Sequence, residues 1–387
     1  MRTLTSKQRL LRAIRHQEPD LVPVSPRTWT FLIDYYGHNG WQYELKGAAE
    51  FDYDPFFYFH APLPNYVADQ RASYEDVPDV SVELDIEHLP DATRVRRRIQ
   101  TPAGPLTDSM IHYKPGGIYG VSPNPRWEER LLKDEADLER LAFLLPKPTK
   151  AAFEPLVAMG EIIGERGLVH VGMDTALTHQ AGWAMELVDL MVACYERPDF
   201  VRSLLSLYHR HTLAIERCAL EAGAEAIFAA DYFSSLSAGW SPQLYREFLL
   251  PLIREQAALA HEYGAIFHHY DDGKVMAVLP MLADAGVDVI STVPAPPLGD
   301  MDLKQAKALV GDRICFNGYV DAINVIKDGT IEQIRETVRQ AIVDGAPGGG
   351  FIIGSSDGIR DAPTENVRAY FDACREFGDY DHLGRAG

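Results

Sequence analysis

Short apolar runs alternate with helical patterns along most of the chain. From about residue 130 onward, runs of strand length lie at 167–173, 225–230, 264–269, 286–292, 312–317 and 350–354. Between them, apolar residues recur at three- and four-residue spacing, which predicts helices over 198–221, 242–260, 274–285, 302–310, 330–344 and 364–377. Strands that alternate with helices form parallel sheets, so the pattern predicts an α/β fold. A seventh run at 21–25 and an eighth strand from around 50–60 complete a (β/α)8 TIM barrel.

Two features depart from this rhythm. Residues 79–125 alternate apolar and polar side chains with a period of two and contain a turn at 102–105, which is typical of antiparallel hairpins. We expect them to form an inserted β-hairpin lobe, at about 75–125, within a single domain that covers residues 1–387. In the helix predicted over 242–260, Pro251 predicts a kink, because proline lacks a backbone N–H and clashes with the preceding turn.

Composition argues against several classes of function. The chain has 387 residues with 37 basic and 56 acidic side chains, so its net charge is −19. A negative field repels phosphate backbones and anionic lipids, so neither nucleic acid nor a membrane surface is an expected partner. No window reaches the roughly 18 apolar residues that a membrane span requires. The four cysteines lie far apart without a Cys-x-x-Cys pair, which indicates reduced thiols in a cytoplasmic protein.

Polar side chains follow almost every predicted strand. In a (β/α)8 barrel the carboxyl ends of the strands meet on one face, and that face carries the active site. Because several of these positions hold aspartate or histidine rather than ordinary turn residues, we expect a functional site there. The candidate residues are Arg27, His179, Asp231, Tyr232, His269, Asp271, Asp272, Asn317 and Asp357.

The segment 269–271, His-Tyr-Asp, has the sharpest spacing of these candidates. Residues i and i+2 of a strand point to the same side, so its histidine and aspartate are predicted to enter one cavity while His268 points away. A histidine beside a carboxylate can hold a divalent metal or act as an acid–base pair. The predicted metal ligands are His269, Asp271 and Asp357, with Asp231 as acid, base or fourth ligand.

Aspartates that share a cavity repel one another, which raises their pKa values unless a cation neutralises them. Asp231, Asp271 and Asp357 therefore predict either a bound metal or a cationic group, and Arg27 is the protein's own candidate for that group. One of these carboxyls can also stay protonated and act as a general acid. The predicted catalytic residues are Asp231, Asp272 and His179.

Several segments of the chain are similar to those of a known family. They lie at residues 9–24, 230–232, 240–251, 284–290, 354–359 and 363–367. With them the chain resembles the uroporphyrinogen decarboxylase superfamily, which includes the decarboxylase itself and the corrinoid-linked methyltransferases. The resemblance extends over nearly the whole chain, is closer to the methyltransferase branch, and implies the same TIM barrel.

The methyltransferase branch carries a zinc site built from His-x-Cys after one strand and a second Cys near the last strand. His269 matches the histidine. Asp271, or Asp272 in an alternative register, stands in place of the first cysteine, and Asp357 stands in place of the second. Two carboxylates make a harder site than two thiolates, so manganese and iron stand beside zinc as candidate metals.

The resemblance also implies the transfer of a methyl group from a small donor to a corrinoid or similar acceptor. The corrinoid would be carried by a partner protein, and the donor would be an aryl methyl ether in an aromatic pocket. Homodimers are common in this family, so we expect a homodimer. The residues expected to contact the substrate are Arg27, Trp29, Tyr113, Tyr119, Trp183, Tyr232 and Asn317.

Two alternatives stay open at this stage. One is a decarboxylase-like lyase, with Arg27 binding a substrate carboxylate and an aspartate protonating the carbanion. The chain lacks the Arg-Gln-Ala-Gly-Arg run with which the decarboxylase itself holds its porphyrinogen, so the expected substrate of this lyase is a smaller acid. The other alternative is a binding protein without catalytic activity.

Overall fold

The chain divides into two compact units, which are described separately. Unit 1 consists of Met1–Ala61, Lys150–Met173 and Glu216–Gly387, and unit 2 consists of Pro62–Thr149 and Asp174–Ile215. The computed structural model describes residues 3–60, 77–114, 116, 125–174, 180–231 and 234–383. The single domain over residues 1–387 stays a prediction.

Strands and helices alternate along most of the described chain. The strands are β1 (Phe56–His60), β2 (Ser81–His88), β3 (Ala92–Thr101), β4 (Gly104–Tyr113), β5 (Arg126–Glu129), β6 (Leu168–Asp174), β7 (Ala226–Ala230), β8 (Ile266–Asp271), β9 (Val289–Thr292), β10 (Cys315–Val320) and β11 (Phe351–Ser355). The α-helices are α1 (Ser6–Ile14), α2 (Trp29–Tyr36), α3 (Trp41–Phe51), α4 (Ala136–Ala142), α5 (Glu154–Ile163), α6 (Ala181–Met185), α7 (Leu187–Glu196), α8 (Pro198–Glu221), α9 (Pro242–Leu244), α10 (Leu250–Glu262), α11 (Leu279–Ala285), α12 (Leu303–Val310), α13 (Ile331–Gly345), α14 (Thr364–Phe377) and α15 (Tyr380–Leu383). Tyr245–Leu249 and Ala322–Lys327 form π-helical turns.

A parallel sheet forms the centre of unit 1. Its strands pair in the order β1-β6-β7-β8-β9-β10-β11, so from β6 onward each strand lies beside the next in the chain, and β2 to β5 form a separate sheet between β1 and β6 in sequence. One layer of core side chains combines Leu10, Ala13 and Ile14 of α1 with one residue from each of the seven strands. The strand residues of this layer are Phe56, Leu168, Ala226, Ile266, Val289, Cys315 and Ile352. Because all seven strands contribute to one layer, the sheet curls around it.

Residues 22–25 connect the first and last strands of this sheet. Val24 forms an isolated parallel bridge to Ile353 of β11, and its carbonyl accepts a 2.7 Å hydrogen bond from the Asp54 N–H, just before β1. The strand predicted around 50–60 is confirmed as β1, whereas residues 21–25 form only single bridges. The structure therefore shows a curled seven-stranded parallel sheet, and a closed eight-stranded barrel stays a prediction.

The predicted helices are confirmed, with small differences in their bounds. α8 and α14 have the predicted bounds. The helix predicted over 274–285 is shorter and begins only at Leu279. The N–H groups of Val275 and Met276 donate to Asp300 Oδ1, at 2.8 and 3.2 Å, and residues 275–278 form a turn in which the Val278 N–H donates to the Val275 carbonyl at 2.9 Å.

Pro251 interrupts the helix predicted over 242–260. α9 ends at Leu244, the π-helical turn Tyr245–Leu249 follows, and α10 begins at Leu250. The wider turn relieves the clash between the proline ring and the carbonyl of the preceding turn. It also carries Tyr245, whose side chain is fully buried.

The hairpin lobe is confirmed in unit 2. β2, β3, β4 and β5 form a four-stranded sheet with antiparallel pairs. Arg97 and Asp108 form a buried ion pair between β3 and β4, at 2.6 Å. All four cysteines of the chain are free, as predicted. None of the helices in the described ranges has the length and apolarity of a membrane span.

Candidate active site

β8 presents its side chains alternately on two faces of the sheet. Ile266 packs against the core layer, and two residues later the His268 ring lies 4.9 Å from the Phe228 ring. The Tyr270 ring lies 5.6 Å from the same Phe228 ring. Ile266, His268 and Tyr270 therefore face the inside of the curled sheet, as the period of two requires.

His269 and Asp271 lie on the opposite face of β8. Both side chains are buried, and His269 Nε2 is 3.9 Å from Asp271 Oδ2. Burial, and then the charges of Asp271 and Asp231, raise the pKa of Tyr245 well above its usual value, so these groups are neighbours. Burial and the charge of Asp231 likewise raise the pKa of Asp271 well above its usual range, which favours its neutral form.

The three predicted metal ligands do not come together. His269 and Asp271 share a face, as expected from their spacing, but the Asp357 side chain is 57% exposed and pairs with Arg27. Within the described ranges, no group of three His, Cys, Asp or Glu side chains is arranged to hold a metal. The cause is the phase of β8, which turns His269 away from the face that Tyr270 occupies. The donor set therefore does not fit zinc, manganese or iron as predicted, and we assign no step to a metal.

A second polar cluster contains Arg27, Tyr270, Asp272 and Asp357. The Arg27 guanidinium lies over the Tyr270 ring, 4.6 Å from its centroid, and Arg27 Nη1 lies 3.8 Å from Asp357 Oδ1. The Tyr270 hydroxyl hydrogen-bonds the Asp272 carboxylate, and Thr292 Oγ1 donates to Asp272 Oδ1 at 3.4 Å. Tyr270 and Asp272 lie at the end of β8 and Asp357 follows β11, and the carboxyl ends of strands are where barrel-like sheets carry their active sites. Arg27 follows residues 22–25, which bridge to β11.

Asp272 has a pKa suited to proton transfer. Burial is the largest influence and raises the pKa, the hydrogen bond from Tyr270 lowers it, the charge of Asp357 raises it and the charge of Arg27 lowers it. The balance is a pKa of about 6. A carboxyl group with that pKa gains and loses a proton close to neutral pH, as a general acid or base must.

Two neutral histidines lie inside the sheet. Burial lowers the pKa of His170 to about 3 and that of His268 well below its usual value. His268 Nε2 is 2.5 Å from Ser291 Oγ, which donates to Asn317 Oδ1 at 3.0 Å. Asn317 Nδ2 donates to two backbone carbonyls, so its amide is already committed to the protein interior. Its contact with substrate stays a prediction.

The remaining predicted substrate contacts belong to different units. Trp29 is 45% exposed, in unit 1, with the Arg360 guanidinium 5.6 Å from its ring centroid. Tyr113 and Trp183 belong to unit 2, where Trp183 packs edge-on against Trp127. The predicted residues Tyr119, His179 and Tyr232 lie outside the described residues.

The structure thus sorts the predicted site into two groups. One holds Asp231, His269 and Asp271 near Tyr245, and the other holds Arg27, Asp272 and Asp357. Sequence reasoning missed Tyr270 as a member of the second group. The sequence contains this pair, because Tyr270 and Asp272 are also two residues apart and point to the same side of a strand. To prefer it over His269 and Asp271, one must know which face of β8 meets the core layer.

Comparisons with known proteins agree with this fold. The family model described as "Uroporphyrinogen decarboxylase (URO-D)" matches residues 125–377, more than half of the chain. The structure of a methyltransferase from Methanosarcina mazei superposes with a TM-score of 0.62 at 19% identity, covering 97% of this chain and 99% of that one. At this identity the likeness concerns the fold alone.

Relatives of two kinds match parts of the chain. The methylated-thiol–coenzyme M methyltransferase of Methanosarcina mazei is 33% identical over 40% of this chain and 38% of its own length. The uroporphyrinogen decarboxylase of Chlorobium luteolum is 31% identical over 38% of this chain and 40% of its own length. Methylcobamide:CoM methyltransferase MtaA of Methanosarcina barkeri is 25% identical over 59% and 63%, so the chain spans less than two thirds of each relative. On the extent of the family match, the chain belongs to the uroporphyrinogen decarboxylase (URO-D) family.

Proposed function

We propose that this protein is a methyltransferase that demethylates a small oxygen-linked methyl donor, with Asp272 as the general acid. The observation that carries the proposal is the cluster of Arg27, Tyr270 and Asp272, which sets a carboxyl group of pKa about 6 beside a guanidinium. Relatives named as methyltransferases support the class of reaction. An aryl methyl ether is the proposed donor.

The chemistry requires one bond to form and one to break. The methyl carbon passes to a nucleophilic acceptor, and the ether oxygen keeps the electron pair of the broken carbon–oxygen bond. Asp272 donates its proton to that oxygen, and Arg27 stabilises the negative charge that develops there. The proposed acceptor is a corrinoid on a partner protein, in keeping with the methylcobamide in the name of one relative.

Decarboxylation of a small acid is the second candidate. The specific observation in its favour is the same Arg27, since a guanidinium can bind a substrate carboxylate while Asp272 protonates the carbanion left after carbon dioxide departs. Uroporphyrinogen decarboxylases are also among the relatives. Paired assays separate the two candidates. One follows methylation of free cob(I)alamin by an aryl methyl ether, and the other follows release of labelled carbon dioxide from a carboxylic acid.

Arg27→Gln is expected to lower kcat/KM about a hundredfold in whichever assay reports activity. Removing one preorganised donor at a developing negative charge typically reduces the rate by about 10²–10³-fold. Arg313→Gln is the matched control, because Arg313 pairs with Asp284 on the surface of the same unit. Equal rates for the two variants would remove Arg27 from the mechanism.

The rate is expected to fall as the pH rises above about 6. A general acid works only while protonated, and the pKa of Asp272 is about 6 because burial disfavours its charged form. The plot of log kcat/KM against pH is therefore flat below this pKa and then falls with a slope approaching −1. A substrate without its own ionisation between pH 5 and 8 keeps the profile interpretable, and a rate that rises with pH would contradict the assignment.

A further inference from the structure

Three hydrogen-bond donors lie close together around Gly358. A Cβ atom built on this glycine would have as its nearest neighbours Thr30 Oγ1 at 3.4 Å, Arg360 Nε at 3.7 Å and Trp29 Nε1 at 3.7 Å. All three distances are those of ordinary van der Waals contact, so a methyl group would fit here, and glycine leaves the space in front of these polar atoms free of a side chain of its own. A hydroxyl, a guanidinium and an indole N–H thus surround one point.

Two of these donors have no acceptor. Thr30 Oγ1 and Arg360 Nε are both shielded from solvent and have no hydrogen-bond partner among the described residues. The Arg360 guanidinium forms no ion pair with any carboxylate in the described ranges and instead lies over the Trp29 ring. Buried donors are rarely left unsatisfied in native proteins, so an acceptor belongs within hydrogen-bond distance of Thr30 Oγ1 and Arg360 Nε.

The donor set selects the chemistry of that acceptor. The indole and the guanidinium can only donate, and the guanidinium carries a fixed positive charge. A metal cation is therefore disfavoured, whereas an oxyanion would accept from all three groups and gain a charge-assisted hydrogen bond from Arg360. A carboxylate has the planar geometry that a guanidinium matches best.

The three donors around Gly358 lie beside the cluster that contains Asp272. The Ile359 N–H donates to the Arg27 carbonyl at 2.9 Å, which holds the segment after β11 against the segment that precedes α2. Asp357 stands between the two places, and its carboxylate is occupied, since Oδ1 accepts the Gly358 N–H at 2.6 Å and lies 3.8 Å from Arg27 Nη1. The negative charge of Asp357 is therefore partly balanced, so its repulsion does not exclude an anion from the space between the three donors.

We propose that Thr30, Trp29 and Arg360 form an oxyanion subsite around Gly358, and that it binds the carboxylate of the substrate. In terms of the proposed function, on which this identification of the ligand rests, the substrate is a methoxy-substituted carboxylic acid. Its carboxylate lies at Gly358, and its ether oxygen lies between Arg27 and Asp272.

The test measures binding directly, without turnover. Equilibrium dialysis of labelled benzoate against the full-length protein gives its dissociation constant, with benzyl alcohol as the neutral comparison ligand. Gly358→Ala places a methyl group in front of the three donors, where it meets only ordinary contacts. Because that methyl group would stand between the donors and an incoming carboxylate, it is expected to weaken benzoate binding more than tenfold. Gly160→Ala is the matched control, because Gly160 lies in α5 with nothing within 4 Å of the added Cβ.

Two further variants remove single donors. Arg360→Gln is expected to weaken benzoate binding at least tenfold and Thr30→Val several-fold, because charge-assisted hydrogen bonds are worth about twice neutral ones. Thermal melting of every variant checks that each is folded, and benzyl alcohol is expected to show no dependence on Arg360.

The outcomes separate this subsite from the proposed reaction. Benzoate binding that depends on Gly358 and Arg360 supports the subsite even if both activity assays fail. Binding that is lost in Arg27→Gln but unchanged in Arg360→Gln and Gly358→Ala overturns the subsite and leaves the role of Arg27 intact. Absence of saturable benzoate binding in the unmodified protein also overturns it, and water is then the acceptor at this position.

Discussion

Asp272→Asn is expected to lower kcat by about a thousandfold while leaving the fold intact. Loss of a positioned general acid typically reduces a rate by about 10²–10⁴-fold. Asparagine keeps the size of aspartic acid and a carbonyl that can accept the hydrogen bonds from Tyr270 and Thr292. It cannot give a proton to a leaving oxygen or a carbanion, so the loss falls on kcat in either proposed reaction. Steady-state kinetics together with a melting curve measure both parts of this expectation.

The neighbouring residue offers a control of the same chemical type. Asp271 lies one residue earlier, on the opposite face of β8, where burial favours its neutral form. Asp271→Asn keeps the shape of a side chain whose raised pKa favours the neutral form, and is expected to leave kcat within about threefold of the unmodified protein. A large loss in Asp271→Asn with little change in Asp272→Asn would restore the metal-ligand prediction and reverse the assignment of the two faces.

The two adjacent aspartates also show where sequence reasoning reaches its limit. Alternation along a strand correctly paired His269 with Asp271, and the two lie 3.9 Å apart. The same alternation pairs Tyr270 with Asp272, and nothing within the segment 268–272 decides which pair faces inward. That choice is made by Ile266, which packs in the core layer with residues from six other strands. Which face of β8 turns inward depends on contacts with six other strands, so the spacing of residues within β8 cannot predict it.

The sequence predicted structure correctly where that structure is determined by residues close together in the chain. The bounds of α8 and α14 and the existence of the hairpin lobe follow from periodicity, and the break before Pro251 follows from the geometry of proline. The contact between the segments that hold Arg27 and Gly358 does not, because these segments are more than three hundred residues apart and meet only when the sheet curls. The candidate subsite and the Arg27–Asp357 pair both depend on that meeting.

Asp54→Ala is expected to destabilise the protein by about 3–5 kcal/mol, which is the usual effect of removing one partner from a buried ion pair. Arg9 Nη1 lies 2.5 Å from Asp54 Oδ1, and both residues are buried. Asp54 Oδ2 also accepts the Val24 N–H at 3.1 Å. Without the carboxylate, the buried Arg9 guanidinium keeps, among the described residues, its bonds to Asp20 and to a backbone carbonyl. Arg375 Nη1 also loses a carboxylate oxygen 3.6 Å away, and residues 22–25 lose a bond to the segment just before β1. Denaturant unfolding measures the loss.

Two comparison variants identify the cause. Asp54→Asn retains an acceptor for the Val24 N–H but not the charge, so it is expected to lose roughly half as much stability as Asp54→Ala. Asp284→Ala removes a surface partner from Arg313 and is expected to change stability by less than about 1 kcal/mol. If Asp54→Ala matched Asp284→Ala instead, the Asp54 carboxylate would not be what holds residues 22–25 against the segment before β1. Arg27, three residues beyond Val24, would then owe its position chiefly to β11, through the 3.1 Å hydrogen bond from its own N–H to Ser355 Oγ.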